Sequence, residues 1–325
     1  MASAEAVLAV IEAAGAHVPG LMDRLERRLA ELAAGHGAVL AEHAGATIAA
    51  GGKRLRPLLV LLAAGPPPAD RGGEGLLRAA AAVELVHSAT LVHDDVLDAA
   101  SLRRGRPTVF AAAGRRLATA TGDLLFAQAF AELARNGRAD EVRVLSAAAS
   151  ALARGELLQR ADAWNVAIPR ERYRQRCDLT TARLFQAACE LGALEADGPV
   201  TVLGEFGRRV GLAFQLLDDV LDVSGPAERT GKRRGADLLD GTVTLPVIIA
   251  RDRDPGLAAL DLRAVRSPEQ AEAVCDAIAA TGALEAARAE ALAIVAEAKA
   301  TLPALPEGQR AALELVADGV VDRYA

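Results

Sequence analysis

The chain has 325 residues, 52% hydrophobic but only 3% aromatic, and carries 37 basic against 43 acidic side chains for a net charge of −6. That apolar fraction excludes a disordered chain, and the glycine and cysteine counts exclude collagen-like and disulfide-scaffold classes. The acidic balance argues against a nucleic-acid binder, which normally carries a basic domain.

Ala, Leu and Val make up most of the apolar residues, a composition that suits helices better than strands. Residues 1–20 have no basic segment ahead of their apolar residues, so no signal peptide is expected. No uninterrupted apolar run approaches the ~18 residues of a membrane span, so no transmembrane segment and a cytoplasmic location are expected. Cys177, Cys189 and Cys275 are far apart and lack CxxC spacing. They are expected to be inert core thiols of a reducing compartment.

In chain order, Leu21, Leu25, Leu29 and Leu32 recur every three to four residues among Arg24, Glu26, Arg27, Arg28 and Glu31, which predicts an amphipathic helix. The same spacing predicts helices over 76–98, 117–133, 142–158, 173–191, 202–223, 271–280 and 284–300. Breaks fall at 65–75, Asn136-Gly137, 167–170 and Asp197-Gly198-Pro199, and the longest irregular stretch is 224–246. No strand pattern of useful length occurs. Several helices are apolar around much of their circumference, as the centre of a bundle requires. The expected fold is all-α: one helical-bundle domain over residues 1–325, with central apolar helices lining a deep cavity.

Two of these helices end alike. Asp94-Asp95-Val96-Leu97-Asp98 and Asp218-Asp219-Val220-Leu221-Asp222 are the same pentapeptide, DDVLD. Asp94 and Asp98 share a helix face, with His87 seven residues earlier on nearly the same face; Gln215, Asp218 and Asp222 share another. Carboxylates at a helix C-terminus repel each other and oppose the helix dipole, so they call for a cation. Hard oxygen ligands without His or Cys partners favour Mg²⁺ completed by substrate phosphates over zinc. Three basic clusters stand out in an acidic chain: Gly51-Gly52-Lys53-Arg54-Leu55-Arg56, Arg103-Arg104-Gly105-Arg106 and Lys232-Arg233-Arg234. The last two closely follow the aspartate clusters. Arg offers a planar fork to phosphate and Lys a point charge. With no G-x-x-x-x-G-K-[ST] or G-x-G-x-x-G loop, the expected ligand is an oligophosphate or a pair of diphosphates rather than a nucleotide.

These residues carry a resemblance to the trans-polyprenyl diphosphate synthases, which have the isoprenoid synthase fold. It covers nearly the whole chain. Its motifs are Gly52-Lys53-x-x-Arg56-Pro57, Glu84-x-x-His87, both DDxxD clusters, Arg103-Arg104-Gly105, Gly122-Asp123-x-Leu125, Gly155-Glu156-x-x-Gln159, Phe214-Gln215, Gly231-Lys232-x-x-Gly235-x-Asp237-Leu238 and Thr244-Leu245-Pro246. The resemblance implies that isopentenyl diphosphate is condensed with an allylic diphosphate to a linear polyprenyl diphosphate. Lys53, Arg56, His87 and Arg104, beside Gly52, would hold the isopentenyl diphosphate. Asp94, Asp98 and Asp218, assisted by Asp95, Asp219 and Asp222, would bind a cluster of about three Mg²⁺ ions bridging the allylic diphosphate. Arg103, Thr181, Gln215 and Lys232 would contact that allylic substrate, so Asp94, Asp98, Asp218, Arg103 and Lys232 carry the catalytic roles. The resemblance also implies a homodimer.

Two positions depart from the family's pattern. Thr180 and Thr242 stand where the family has Lys, or often has it, so two cations near the leaving group are missing and Lys at either position is expected to lower the allylic KM. A class I terpene cyclase is disfavoured by the third aspartate, Asp222, and by the scarcity of aromatics. A non-catalytic subunit of a heteromeric synthase is disfavoured because all six aspartates remain. Ala89 and Thr90, one turn before Asp94, are small where a bulky aromatic would block a growing chain. A product longer than twenty carbons is therefore expected, with Phe126 or Phe130 closing the tunnel. Trp164 and Phe185 are read as core or interface residues.

Overall fold

A computed structural model describes residues 4–49, 52, 54–67, 73–103, 105–225 and 234–322. Helix α1 (Ala4–Ala14) is followed by α2 (His17–Ala34), which buries Val18, Leu21, Leu25, Leu29 and Ala33, the stripe its leucine spacing predicts. Next come α3 (Ala38–Ala49) and α4 (Leu55–Ala64), the latter ended by Gly65 at a left-handed φ of 69°. Helix α5 (Glu74–Leu97) buries 15 of its 24 residues. By length and composition it could cross a membrane, yet 72% of its apolar stretch is buried inside the fold. It is the central helix of the bundle.

Strands β1 (Leu102–Arg103) and β2 (Arg106–Pro107) form a minimal antiparallel ladder, with Leu102 opposite Pro107. Helix α6 (Val109–Ala134) starts earlier than its apolar spacing predicts, because the Thr108 side chain caps it by accepting from the Ala111 N–H at 3.0 Å. Gly114 interrupts its first turns. Then α7 (Ala139–Asp162) leads to α8 (Arg170–Cys177), which runs through a π-turn (Asp178–Ala182) into α9 (Arg183–Glu195). The long α10 (Val200–Ser224) precedes the short α11 (Ala236–Leu239), α12 (Leu245–Arg253) and α13 (Pro255–Ala258). Helices α14 (Pro268–Ala280), started by a Ser267–Gln270 capping box, α15 (Ala283–Ala300) and α16 (Glu307–Asp322) finish the chain. The fold is all-α, as expected.

Helix α5 packs against α4, α6 and α9, and α10 packs against α9 and α15, so both aspartate helices share α9 as a neighbour. Gly211 permits a close approach in this arrangement. A Cβ there would lie 2.8 Å from Phe185 Cβ and 2.9 Å from Ala182 Cα, so only glycine lets α10 close on the π-turn. All three cysteines are buried. Burial pushes the thiols of Cys177 and Cys275 up to about 12 and raises that of Cys189 as well, which suppresses thiolate chemistry.

Candidate active site

The C-terminal parts of α5 and α10 open on one cavity of about 550 Å³. Asp94 and Asp98 reach it from α5, and Gln215, Asp218 and Asp219 from α10. Glu156, Gln159 and Arg160 face it from α7, and Arg176, Thr180 and Thr181 from α8 and the π-turn. Arg56, His87, Arg103, Asp237, Asp240 and Thr242 complete its polar wall. The sequence-expected residues are thus largely brought together. Gly52 is exposed and is not part of this wall. Lys53, Arg104 and Lys232 lie outside the described residues.

Within each cluster the aspartates divide into two kinds. Asp94, Asp98 and Asp218 present to the cavity. Asp95 is buried behind the wall and accepts from Arg103 Nε at 2.8 Å. Asp219 touches the cavity but is held by protein on both oxygens: Tyr173 Oη donates at 2.6 Å and Gln215 Nε2 at 2.8 Å. Asp222 accepts from the Asp237 N–H at 3.3 Å, tying α10 to α11. Thr181 Oγ1 donates to Gln215 Oε1 at 2.7 Å, which fixes the amide so that its NH₂ faces Asp219.

The electrostatics describe an acidic site in want of a cation. Burial, then the neighbouring Glu156 carboxylate, pushes Asp94 up to about 7, with Arg103 pulling the other way. Burial likewise lifts Asp219 to about 6 against its two hydrogen bonds. Among the described residues no three His, Cys, Asp or Glu side chains converge closely enough to hold an ion unaided. Crowded hard oxygens that do not form a closed cage fit Mg²⁺, which binds through a few carboxylates plus phosphate oxygens.

Several residues escaped the sequence reading. Tyr173 is fully buried and braces Asp219. Arg160 donates to Asp98 at 2.5 Å and to Glu156 at 2.9 Å, bridging α5 and α7; its place four residues after Glu156, on the same helix face, was the available signal. Trp164, read as core or interface, packs against the core and also lines the cavity. Its φ is 67°, its N–H donates to Gly241 O at 2.7 Å, and its indole covers Gly241 so closely that a Cβ there would clash at 2.3 Å. Phe185 is fully buried, with the Arg56 guanidinium 4.7 Å from its ring centroid. Phe126 stacks on His93 at 5.7 Å, and neither Phe126 nor Phe130 is on the cavity wall.

Comparison with known proteins agrees with this arrangement. The chain is 43% identical over 243 residues to a heptaprenyl diphosphate synthase component 2 of Geobacillus stearothermophilus, covering 73% of this chain and 74% of that one. A polyprenyl synthase from Caulobacter crescentus CB15, solved with calcium and isoprenyl diphosphate, superposes with a TM-score of 0.89 at 34% identity, covering 97% of this chain and 98% of that one. A decaprenyl diphosphate synthase from Rhodobacter capsulatus gives a TM-score of 0.86 at 32% identity, covering 95% and 98%. Residues 38–281 match the family described as Polyprenyl synthetase. A match over most of the length, on a fold that gathers both aspartate helices around one cavity, makes this chain a member of the polyprenyl synthetase family and a prenyl-transferring enzyme.

Proposed function

We propose that the chain condenses isopentenyl diphosphate with an allylic diphosphate in the cavity between α5 and α10, using Mg²⁺, to give a linear trans-polyprenyl diphosphate. The observation that carries this is the meeting of Asp94, Asp98 and Asp218 on one cavity wall that also presents Arg56, His87 and Arg103. When bound at these aspartates, Mg²⁺ would neutralise the charge that collects on the departing diphosphate.

The chain's own residues do the rest. Asp95 holds Arg103 in place, so a cation faces the first cluster without reorganising. Tyr173 and Gln215 hold Asp219, so the second cluster is rigid before substrate arrives. Arg56 and His87 receive the isopentenyl diphosphate, together with Lys53 and Arg104. The allylic C–O bond breaks, a C–C bond forms from the isopentenyl double bond, and a proton leaves to the released diphosphate. Leu91, Leu97, Trp164 and Leu239 add apolar wall that keeps water from the allylic cation. Thr90, small and on the wall one turn before Asp94, leaves room for a product longer than twenty carbons; relatives carry names from geranylgeranyl to decaprenyl synthase. Both aspartate clusters line one cavity of a single chain, which supports activity, as a homodimer, without a second kind of subunit to supply them. A need for one would instead match the relative named as a component.

Purified chain incubated with labelled isopentenyl diphosphate, Mg²⁺ and several allylic primers tests this. Expected is a product beyond twenty carbons on chromatography, abolished by chelator. Asp94→Ala or Asp218→Ala should lower kcat by about 10² or more, the scale of losing a major electrostatic stabiliser. Near-normal turnover in either variant, or in chelator, overturns the assignment.

A further inference from the structure

A diphosphate entering this cavity meets a wall crowded with carboxylates, so the placement of each fixed cation matters. The positive charges of Arg103 and Arg160 are already engaged, by Asp95 and by Asp98 with Glu156. Arg176 differs. Its guanidinium donates to the Val243 carbonyl at 2.6 Å and lies 5.3 Å from the Tyr173 ring centroid. Both partners are neutral; its charge is felt by the Asp219 carboxylate, which it stabilises, but among the described residues it makes no direct ion pair, unlike Arg103 and Arg160. The residue is only 4% exposed, and it lines the cavity. An arginine carries five N–H donors. Those not spent on Val243 are neither bonded nor sealed away among the described residues, so they open on the cavity.

Its position is as telling as its charge. Thr180 Oγ1 donates to the Arg176 carbonyl at 3.0 Å, one turn on. Val243, which anchors the guanidinium, is the neighbour of Thr242. Arg176 therefore sits between the two wall threonines, where neither contributes charge. Nothing in its own sequence neighbourhood announces this, since arginine recurs at 170, 172, 174 and 176 and Arg170 and Arg174 point outward to Glu290.

We infer that Arg176 is a substrate-binding residue for the diphosphate of the allylic substrate, supplying from the wall between Thr180 and Thr242 the positive charge that those two positions lack. The inference rests on the proposed prenyl transfer. A buried guanidinium already fixed by a carbonyl and an aromatic face loses little freedom on binding, and its planar fork suits two oxygens of one phosphate. It also revises the expectation for Thr180→Lys and Thr242→Lys. With Arg176 in place, either lysine adds a like charge beside an existing one, so the fall in allylic KM should be small; with Arg176 removed it should be large.

The test compares wild type, Arg176→Met, Arg176→Lys and the double variant Arg176→Met/Thr180→Lys. Steady-state kinetics give KM for each substrate, and calorimetry gives the affinity for inorganic pyrophosphate with Mg²⁺. Arg176→Met should raise the allylic KM by about tenfold or more, the loss expected for one strong charge-assisted contact, with the isopentenyl diphosphate KM within about twofold. Pyrophosphate binding should weaken in parallel, and Thr180→Lys should restore most of both. A wild-type allylic KM in Arg176→Met overturns the inference, as does an equal rise for both substrates or a loss that the lysine does not rescue. Should Arg176→Met fail to fold, Arg176→Lys decides: a smaller rise confined to the allylic KM supports the inference, and no change or an equal rise for both overturns it. If wild type turns over no substrate pair, the proposed reaction fails by itself. Pyrophosphate binding then still judges Arg176, with equal affinity in wild type and variant counting against it.

Discussion

Thr90 and Ala89 are neighbours on α5 with different surroundings. Thr90 lines the cavity, its hydroxyl turned back to the His87 carbonyl at 2.8 Å, whereas Ala89 is fully buried in the core and off the wall. The two positions lie about 100° apart on the helix, so bulk added at each goes to a different place. Phenylalanine at 90 enters the space a growing prenyl chain would use. Phenylalanine at 89 enters a close-packed interior, where overpacking typically costs about 1–3 kcal/mol. Thr90→Phe should therefore shorten the product with little change in Tm, and Ala89→Phe should lower Tm with less effect on length. Chromatography of dephosphorylated products beside thermal denaturation checks both; the opposite pairing of effects would place the product channel along Ala89.

At the scale of elements, the junction of α5, α6, α7 and α9 is held by a network away from the cavity. Asn136 Nδ2 donates to the Gly75 carbonyl at 3.0 Å and to Glu141 at 2.9 Å, and approaches Glu195 at 3.5 Å. Burial, then the adjacent Glu195 carboxyl, pushes Glu141 up to about 8 from an ordinary 4.5. Between those two values the folded protein holds a proton that the unfolded chain has released, so stability falls as pH rises across that window. Glu141→Gln cannot ionise and should remove that part of the pH dependence. The gap in Tm between variant and wild type should move in the variant's favour from pH 5 to pH 9. A constant gap would mean that Glu141 is already ionised at pH 5.

The same scale explains what the sequence could disclose. Helices with polar and apolar faces, such as α2 with its Leu21, Leu25 and Leu29, were legible from spacing. The segment Ala38–Ala49 was not, because alanine at five of its positions, with Gly45 and Thr47, leaves little contrast between faces. The ladder of Leu102–Arg103 with Arg106–Pro107 is too short to alternate, and depends on Gly105 at a φ of 75°. Asp94, Asp98 and Asp218 were legible because the same DDVLD pentapeptide recurs in the last turns of two apolar helices. Tyr173 and Arg176 were not, since their meeting with Asp219 and Val243 depends on the π-turn that redirects α8 relative to α9. No local pattern encodes a phase shift of that kind.

Across the whole molecule, a net charge of −6 coexists with a site built to receive diphosphates. The acidic surplus sits partly on the cavity wall itself, in Asp94, Asp98 and Asp218, and arginines such as Arg103 and Arg176 are set among them. Charge is organised by the fold rather than by composition, which is why the overall balance says little about the ligand.

Helix α5 shapes the life of the chain before that fold exists. As the polypeptide leaves the ribosome, the segment from Glu74 to Leu97 exposes a long apolar surface until α4, α6 and α9 close around it. During that interval an added lipid bilayer would compete with the rest of the chain for this surface. Refolding from denaturant should accordingly lose yield when phosphatidylcholine vesicles are present, with the missing fraction recovered on the vesicles; equal yields with and without lipid would show that the bundle closes before any bilayer can intervene. The helix that carries Asp94 to the cavity is thus also the segment that depends most on its neighbours for shelter from water.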